Sequence, residues 1–325
     1  MALCKSPLVL VVLVIAACGP GADDDGPVVC EAGFVVDGAA KGLGCIPIGP
    51  LSLTGRSADE VCSRFAADQR SVDEGEGSFA GGACDAGAIP QAALDNGLRR
   101  VNLYRWLAGV DDAALAPGLF PQQQACATMM AAHGQLTHTP SPDVPCYSAL
   151  ASDGAGSSNI SSQVGLGGSV DLYMSDFGDF NAVHLGHRRW TIGPRMSVTQ
   201  FGVKDGYSCM YVFGYAGGAD PGFVAWPPPG FVPVQAPPGD FSYESIRHAP
   251  TDGTTVEVAV DDGAFETVEH RLLQEGYGAY GTALAFAPPG GVVAAWVPGK
   301  TIRVRVVATA DGDIEYTVKF SDCAP

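Results

Sequence analysis

Basic residues are scarce in this 325-residue chain: 18 Lys and Arg stand against 35 Asp and Glu, a formal net charge of −17. A surface so poor in cations argues against nucleic acid and anionic lipid headgroups as partners, since both are held by clustered Lys and Arg. No CxxC pair occurs, which argues against a zinc ribbon or a dithiol redox centre. Neither GxSxG nor HExxH is present, so the usual serine-hydrolase and zincin signatures are missing. The aliphatic run at 7–18, PLVLVVLVIAAC, is too short to cross a ~30 Å hydrocarbon core, which takes about 20 residues.

That run does suit the apolar core of a cleaved export signal, preceded by the lone basic Lys5. Its end, Ile15-Ala16-Ala17-Cys18-Gly19, resembles the bacterial lipobox. The resemblance implies that 1–17 is removed and that Cys18 carries the lipid, with 18–29 (containing GPGADDDG) as an acidic, flexible tether. The cysteines support an oxidising, extracytoplasmic envelope location independently. Once Cys4 and Cys18 are set aside, Cys30, Cys45, Cys62, Cys84, Cys126, Cys146, Cys209 and Cys323 form an even set, read as four disulfides. Such a set allows on the order of a hundred pairings. The sequential arrangement is Cys30–Cys45, Cys62–Cys84, Cys126–Cys146 and Cys209–Cys323, the last stapling the C-terminal strand to the middle of the chain.

Roughly 300 mature residues exceed one ordinary core, so several domains are expected. Residues 30–87 are Cys- and Gly-rich, with one helix predicted over 58–68 from Ser57 as N-cap and Glu60 at the capping-box position. Leu94, Leu98, Val101, Tyr104 and Leu107 trace one face of a helix opened by Pro90 and closed by Gly109. A second helix starts at Pro121 with Ala125, Met129 and Leu136 on one side; a third carries Val170, Tyr173, Met174 and Phe177. Period-two runs at 199–204 and 208–213 flank Asp205-Gly206, a hairpin turn signal. The Pro-rich stretch within 217–240, WPPPGFVPVQAPP, reads as a linker or an edge segment. Beyond it, strands are predicted at 254–260, 267–273, 281–286, 292–297, 302–309 and 314–320, so that 241–325 reads as a β-sandwich of immunoglobulin-like type.

The segments LDNGLRRVNLYRWLAGV, HGQLTHT, SSNISS, VDLYMSDF and LGHRRWTIGPRMSVTQFGV follow one another over residues 89–214. Their order resembles the CAP superfamily (the SCP or pathogenesis-related-1 fold), most specifically in Gly186-His187-Arg188-Arg189-Trp190 and Phe201-Gly202-Val203. The resemblance implies an α+β chain: a CAP-type α-β-α sandwich over 88–216, followed by the C-terminal all-β sandwich. It also implies a cavity lined by two histidines and two acids. Position by position, the histidines fall on His138 and His187 and one acid on Asp176. The other acid precedes Asn in a Gly-Glu-Asn triplet, and here Ser157-Ser158-Asn159 puts Ser158 in its place. His138, Asp176 and His187 would be the metal ligands, with zinc the candidate cofactor and a fourth position open. The missing glutamate removes a general base.

Competing with that site is a plainer reading, in which His138 and His187 are core residues bonded to backbone. His184, three residues before His187, is a spare ligand candidate but reads better as a solvated surface residue, as does His133. Arg188, Arg189, Asn102 and Arg105 read as structural hydrogen-bonders. The 165–168 GLGG run lacks a phosphate-loop spacing, and the Asn159-Ile160-Ser161 sequon carries no meaning in a bacterial envelope. Three functions remain. The chain is a lipid-anchored binding module for a lipid, sterol-like or peptide ligand, the favoured reading; or a zinc-assisted hydrolase; or a structural or adhesive envelope protein.

Overall fold

The computed structural model describes residues 34–37, 44–47, 55–75, 77, 82–215, 220–278 and 282–324. The export signal, Cys18, the tether and Cys30 lie outside the described residues, and so does the Cys30–Cys45 pairing. The fold is mixed helix and sheet, as expected for α+β.

A short antiparallel hairpin, Phe34–Asp37 with Gly44–Pro47, comes first. Helix α1 (Ala58–Gln69) follows and carries both halves of the expected capping box between Ser57 and Glu60. Its Val61 and Phe65 are buried. Helix α2 (Gln91–Ala108) begins after Pro90 and ends at Gly109, whose φ of 75° is the left-handed cap that glycine takes without strain. Leu94, Val101, Tyr104 and Leu107 are buried along its inner face.

Helix α3 (Phe120–His133) stops at Gly134, so Leu136 lies beyond it and is exposed. Helices α4 (Ala149–Gly156) and α5 (Leu166–Ser175) complete the large helical elements of this region, and the short α6 (Asp179–Ala182) and α7 (Gly186–Thr191) follow them. Phe177 likewise falls outside α5 and is exposed. Strands Ser158–Ser161, Tyr207–Tyr211 and Phe201–Lys204 pair antiparallel in that spatial order. Asp205 and Gly206 both have positive φ, 48° and 78°, which gives the tight turn anticipated between them. Cys209 and Ile160 face a cluster with Cys126, Met129 and Met130 of α3, whereas Phe201 and Met210 join a second cluster with α2 and α5. Helices therefore cover both faces of the sheet. At Gly202 an added Cβ would lie 2.1 Å from the Gln123 carbonyl oxygen, so strand and α3 approach closely only because a glycine is there.

Residues 220–324 form two sheets. One orders Gly230–Pro233, Gly312–Ser321, Thr301–Thr309, Thr255–Val260 and Glu266–Val268; the other orders His270–Leu272, Ala283–Phe286, Phe241–Glu244 and Val224–Trp226. Their inner faces share one apolar core, with Phe223 packed against both Tyr243 and Tyr316. Of the two readings of the Pro-rich stretch within 217–240, linker or edge segment, the second is the one observed: Val224–Trp226 and Gly230–Pro233 are edge strands of the two sheets. Edges are where Pro-rich segments are tolerated, because no neighbour requires their missing N–H. The strand expected at 292–297 is instead a single helical turn, α8 (Val292–Ala295), after Gly290 and Gly291, both at positive φ.

One buried cluster runs without a break from Val61 through Tyr104 and Trp226 to Phe320. Tyr104 meets the Trp226 ring edge-on at 5.7 Å. The disulfides follow this packing and correct the sequential expectation: Cys62 joins Cys323, Cys84 joins Cys146, and Cys126 joins Cys209. Each partner is fixed by which layers meet and not by closeness along the chain. Among the described residues no helix is long and apolar enough to cross a membrane.

Candidate functional site

Two short elements prepare the site. Asp176 ends α5 in the left-handed conformation (φ 48°), and Leu185 takes the same conformation (φ 46°) just before α7 (Gly186–Thr191). Asp visits that region readily, a branched apolar residue only when its surroundings hold it there. Leu185 is held by burial against Leu273, Ala283 and Ala285 of the C-terminal sheets. The kink it makes starts α7 with His187 facing back toward the end of α5.

The result is a buried carboxylate behind an imidazole. Asp176 Oδ1 lies 2.7 Å from His187 Nδ1, and its Oδ2 accepts from the Arg188 N–H at 3.2 Å. The carboxylate fixes the proton on Nδ1 and leaves Nε2 as the ring's free nitrogen. Tyr173, bonded through its hydroxyl to Ser208, stacks on the His187 ring with centroids 5.6 Å apart.

His138 sits in the loop after α3 and is exposed as a residue. Its Nδ1 lies 2.8 Å from the Ala155 carbonyl oxygen; a carbonyl only accepts, so here too Nε2 is the free nitrogen. Loss of hydration around the ring, the largest influence, and the nearby His187 lower its pKa, against the Ala155 carbonyl, which raises it. Ser158 is buried and its hydroxyl is bonded to Gln123 Oε1 and the Gly154 carbonyl. It is therefore not hydrogen-bonded to His187 as a nucleophile would be.

His138, Ser158 and His187 line one cavity of about 320 Å³, joined there by Phe180, His184, Trp190 and Tyr277. His138, His187 and Phe180 also line a second, wider cleft of about 860 Å³ whose walls include Ile160, Leu172, Tyr173 and Phe177.

The three-ligand zinc set expected from sequence does not form. Among the described residues no three His, Cys, Asp or Glu side chains converge to hold a metal ion. Both Asp176 oxygens are already engaged, so this residue orients His187 from behind and does not stand beside it as a ligand.

The surface reading of His184 is also corrected. This residue is only 3% exposed, with Tyr277 stacked on its ring at 4.1 Å and Phe180 edge-on at 5.4 Å. It does not share a helix face with His187, because Leu185 breaks the chain direction between them. Burial, the largest cause, lowers its pKa; Asp176 pulls the other way, and His187, Arg189 and His138 add to the lowering. Nothing local in the sequence signals Tyr277, which reaches the site from a distant loop. His133 is half-buried at the end of α3.

The double arginine has the structural role anticipated for it. Arg188 donates to the carbonyl oxygens of Met174, Ser175 and Asp240, and Arg189 pairs with Glu244 at 3.1 Å. Arg105 and Asn102 likewise bond backbone, at Gly193 and Ala113. The 165–168 run is the start of α5, and its Leu166 and Gly167 N–H groups donate to the Glu74 carboxylate. Asn159 is 2% exposed and donates to the His187 carbonyl, which closes it to modification.

The chain matches no protein-family model, no curated protein and no solved structure.

Proposed function

We propose that this chain is an extracytoplasmic binding module for an amphiphile, whose apolar tail enters the 860 Å³ cleft and whose polar head lies beside His138 and His187. The observation that carries the reading is the pair Phe177 and Phe180, 69% and 79% exposed at the cleft. Two large rings left in water beside an apolar-lined hollow are costly unless something covers them. Supporting context comes from the three disulfides, which suit an oxidising compartment. The lipobox resemblance at Cys18 adds tethering to an envelope membrane, and the CAP resemblance remains part of this proposal.

The test is saturable, one-to-one binding of short-chain amphiphiles by the full chain, followed by calorimetry. Replacing both Phe177 and Phe180 by Ser should weaken binding by about tenfold or more, since each buried ring contributes on the order of 1.5–3 kcal/mol. No saturable binding by neutral, zwitterionic or anionic amphiphiles of equal chain length would refute it.

One observation favours a second reading, hydrolysis. A carboxylate-held imidazole with a free Nε2 is the arrangement of a general base for water. Any hydrolytic activity that survives His187→Ala would remove this alternative.

A further inference from the structure

The smaller cavity contains a group that the amphiphile reading leaves unexplained. The Gly186 N–H donates to His184 Nδ1 at 2.8 Å, so Nδ1 is an acceptor and the proton sits on Nε2. That Nε2–H is buried without a hydrogen-bond partner, alone in this among the side chains lining the cavity. A buried, unpaired N–H is costly, and in the lining of a cavity it points to a missing acceptor. In the lining of the same cavity, His138 and His187 offer the opposite polarity, each with Nδ1–H committed and the Nε2 lone pair free.

One donor and two acceptors in a single lining select the ligand chemistry. An anionic head would repel the two lone pairs and lie close to the Asp176 carboxylate behind His187. A cationic head finds no free carboxylate, because both Asp176 oxygens are engaged. A hydroxyl can donate and accept, so adjacent hydroxyls satisfy all three imidazoles at once. Tyr277 and Trp190 add aromatic faces to the same wall, surfaces against which the C–H face of a sugar ring packs. The 320 Å³ volume equals about ten waters, the scale of one hexose.

We infer that the cavity takes a neutral, polyhydroxylated head of the sugar type, with a hydroxyl accepting from His184 Nε2–H and its neighbours donating to Nε2 of His138 and His187. The inference rests on the amphiphile reading and names its head group. One corner of this site comes from the C-terminal sandwich. Tyr277 belongs to it, and an added Cβ on Gly186 would lie 2.4 Å from the Tyr277 ring, so the glycine admits the tyrosine.

Octyl β-D-glucoside and an octyl sulfobetaine of equal chain length, both below their micellar concentrations, separate the two ideas when titrated into the full chain. The glucoside should bind about tenfold more tightly. His184→Phe and Tyr277→Ala should each erase that preference. Tyr277→Ala, in a loop, serves if His184→Phe fails to fold. Equal affinity of the two probes overturns the sugar head and leaves the apolar cleft standing. A preference that survives both substitutions overturns the placement under Tyr277. If neither probe binds, the amphiphile reading falls together with it.

Discussion

Asp176 turns one carboxylate oxygen to the ring of His187 and the other to the backbone N–H of Arg188, at 2.7 and 3.2 Å. A single buried side chain thereby sets both the tautomer of the imidazole and the first turn of the helix that carries it. Asp176→Asn keeps the tolerance for left-handed backbone and one acceptor, but its amide N–H₂ must face one of the two donors. The expected loss is about 1–3 kcal/mol in urea unfolding. Asp176→Val should lose more, because a β-branched residue also resists a φ of 48°. Equal stability of wild type and Asn variant would contradict this.

Arg189 and Glu244 are nearly inaccessible, with side-chain exposures of 2% and 4%. Arg189→Met alone leaves a buried carboxylate whose pKa burial already raises, against the pull of Arg189. The single variant should lose about 3–5 kcal/mol, and Arg189→Met with Glu244→Leu should recover much of it. A double-mutant cycle by denaturant unfolding measures this.

The histidines give a signed pH dependence. His184 has a folded pKa below its ordinary 6.5, so the unfolded chain takes up the proton first. Its contribution to stability is complete above about pH 6.5 and is lost as pH falls through the window below. The stability difference between wild type and His184→Phe should therefore be flat above pH 6.5 and change on acidification; a flat difference down to pH 5 would refute it.

Peptide mapping without reduction should recover Cys62 with Cys323, Cys84 with Cys146 and Cys126 with Cys209. Replacing Cys62 and Cys323 together by Ala should cost about 3–5 kcal/mol, the range for long closed loops. Recovery of Cys62 with Cys84 would overturn the arrangement of the layers as well as the pairing.

Local chemistry in the sequence located much of this fold. Ser57 and Glu60 cap α1, Pro90 and Gly109 bound α2, and Asp205-Gly206 makes a tight turn, because each depends on neighbours within a few residues. The failures are non-local. The valines of α8 have strand propensity, but two positive-φ glycines turn the chain before them. Disulfide partners depend on which layers meet. At the site, His138, Ser158 and His187 were identifiable and share one cavity, yet the role of Asp176 depends on two left-handed residues that no motif announces. His184 reads as a surface residue because the tyrosine that covers it arrives from the far end of the chain.

The Cys62–Cys323 bond spans 261 residues, and that has a consequence for turnover. A protease that nicks any loop between those two cysteines leaves both fragments covalently joined. Separation of the two fragments then requires reduction of that bond as well as the cut. Cutting the chain and losing a piece of it are thereby separate events.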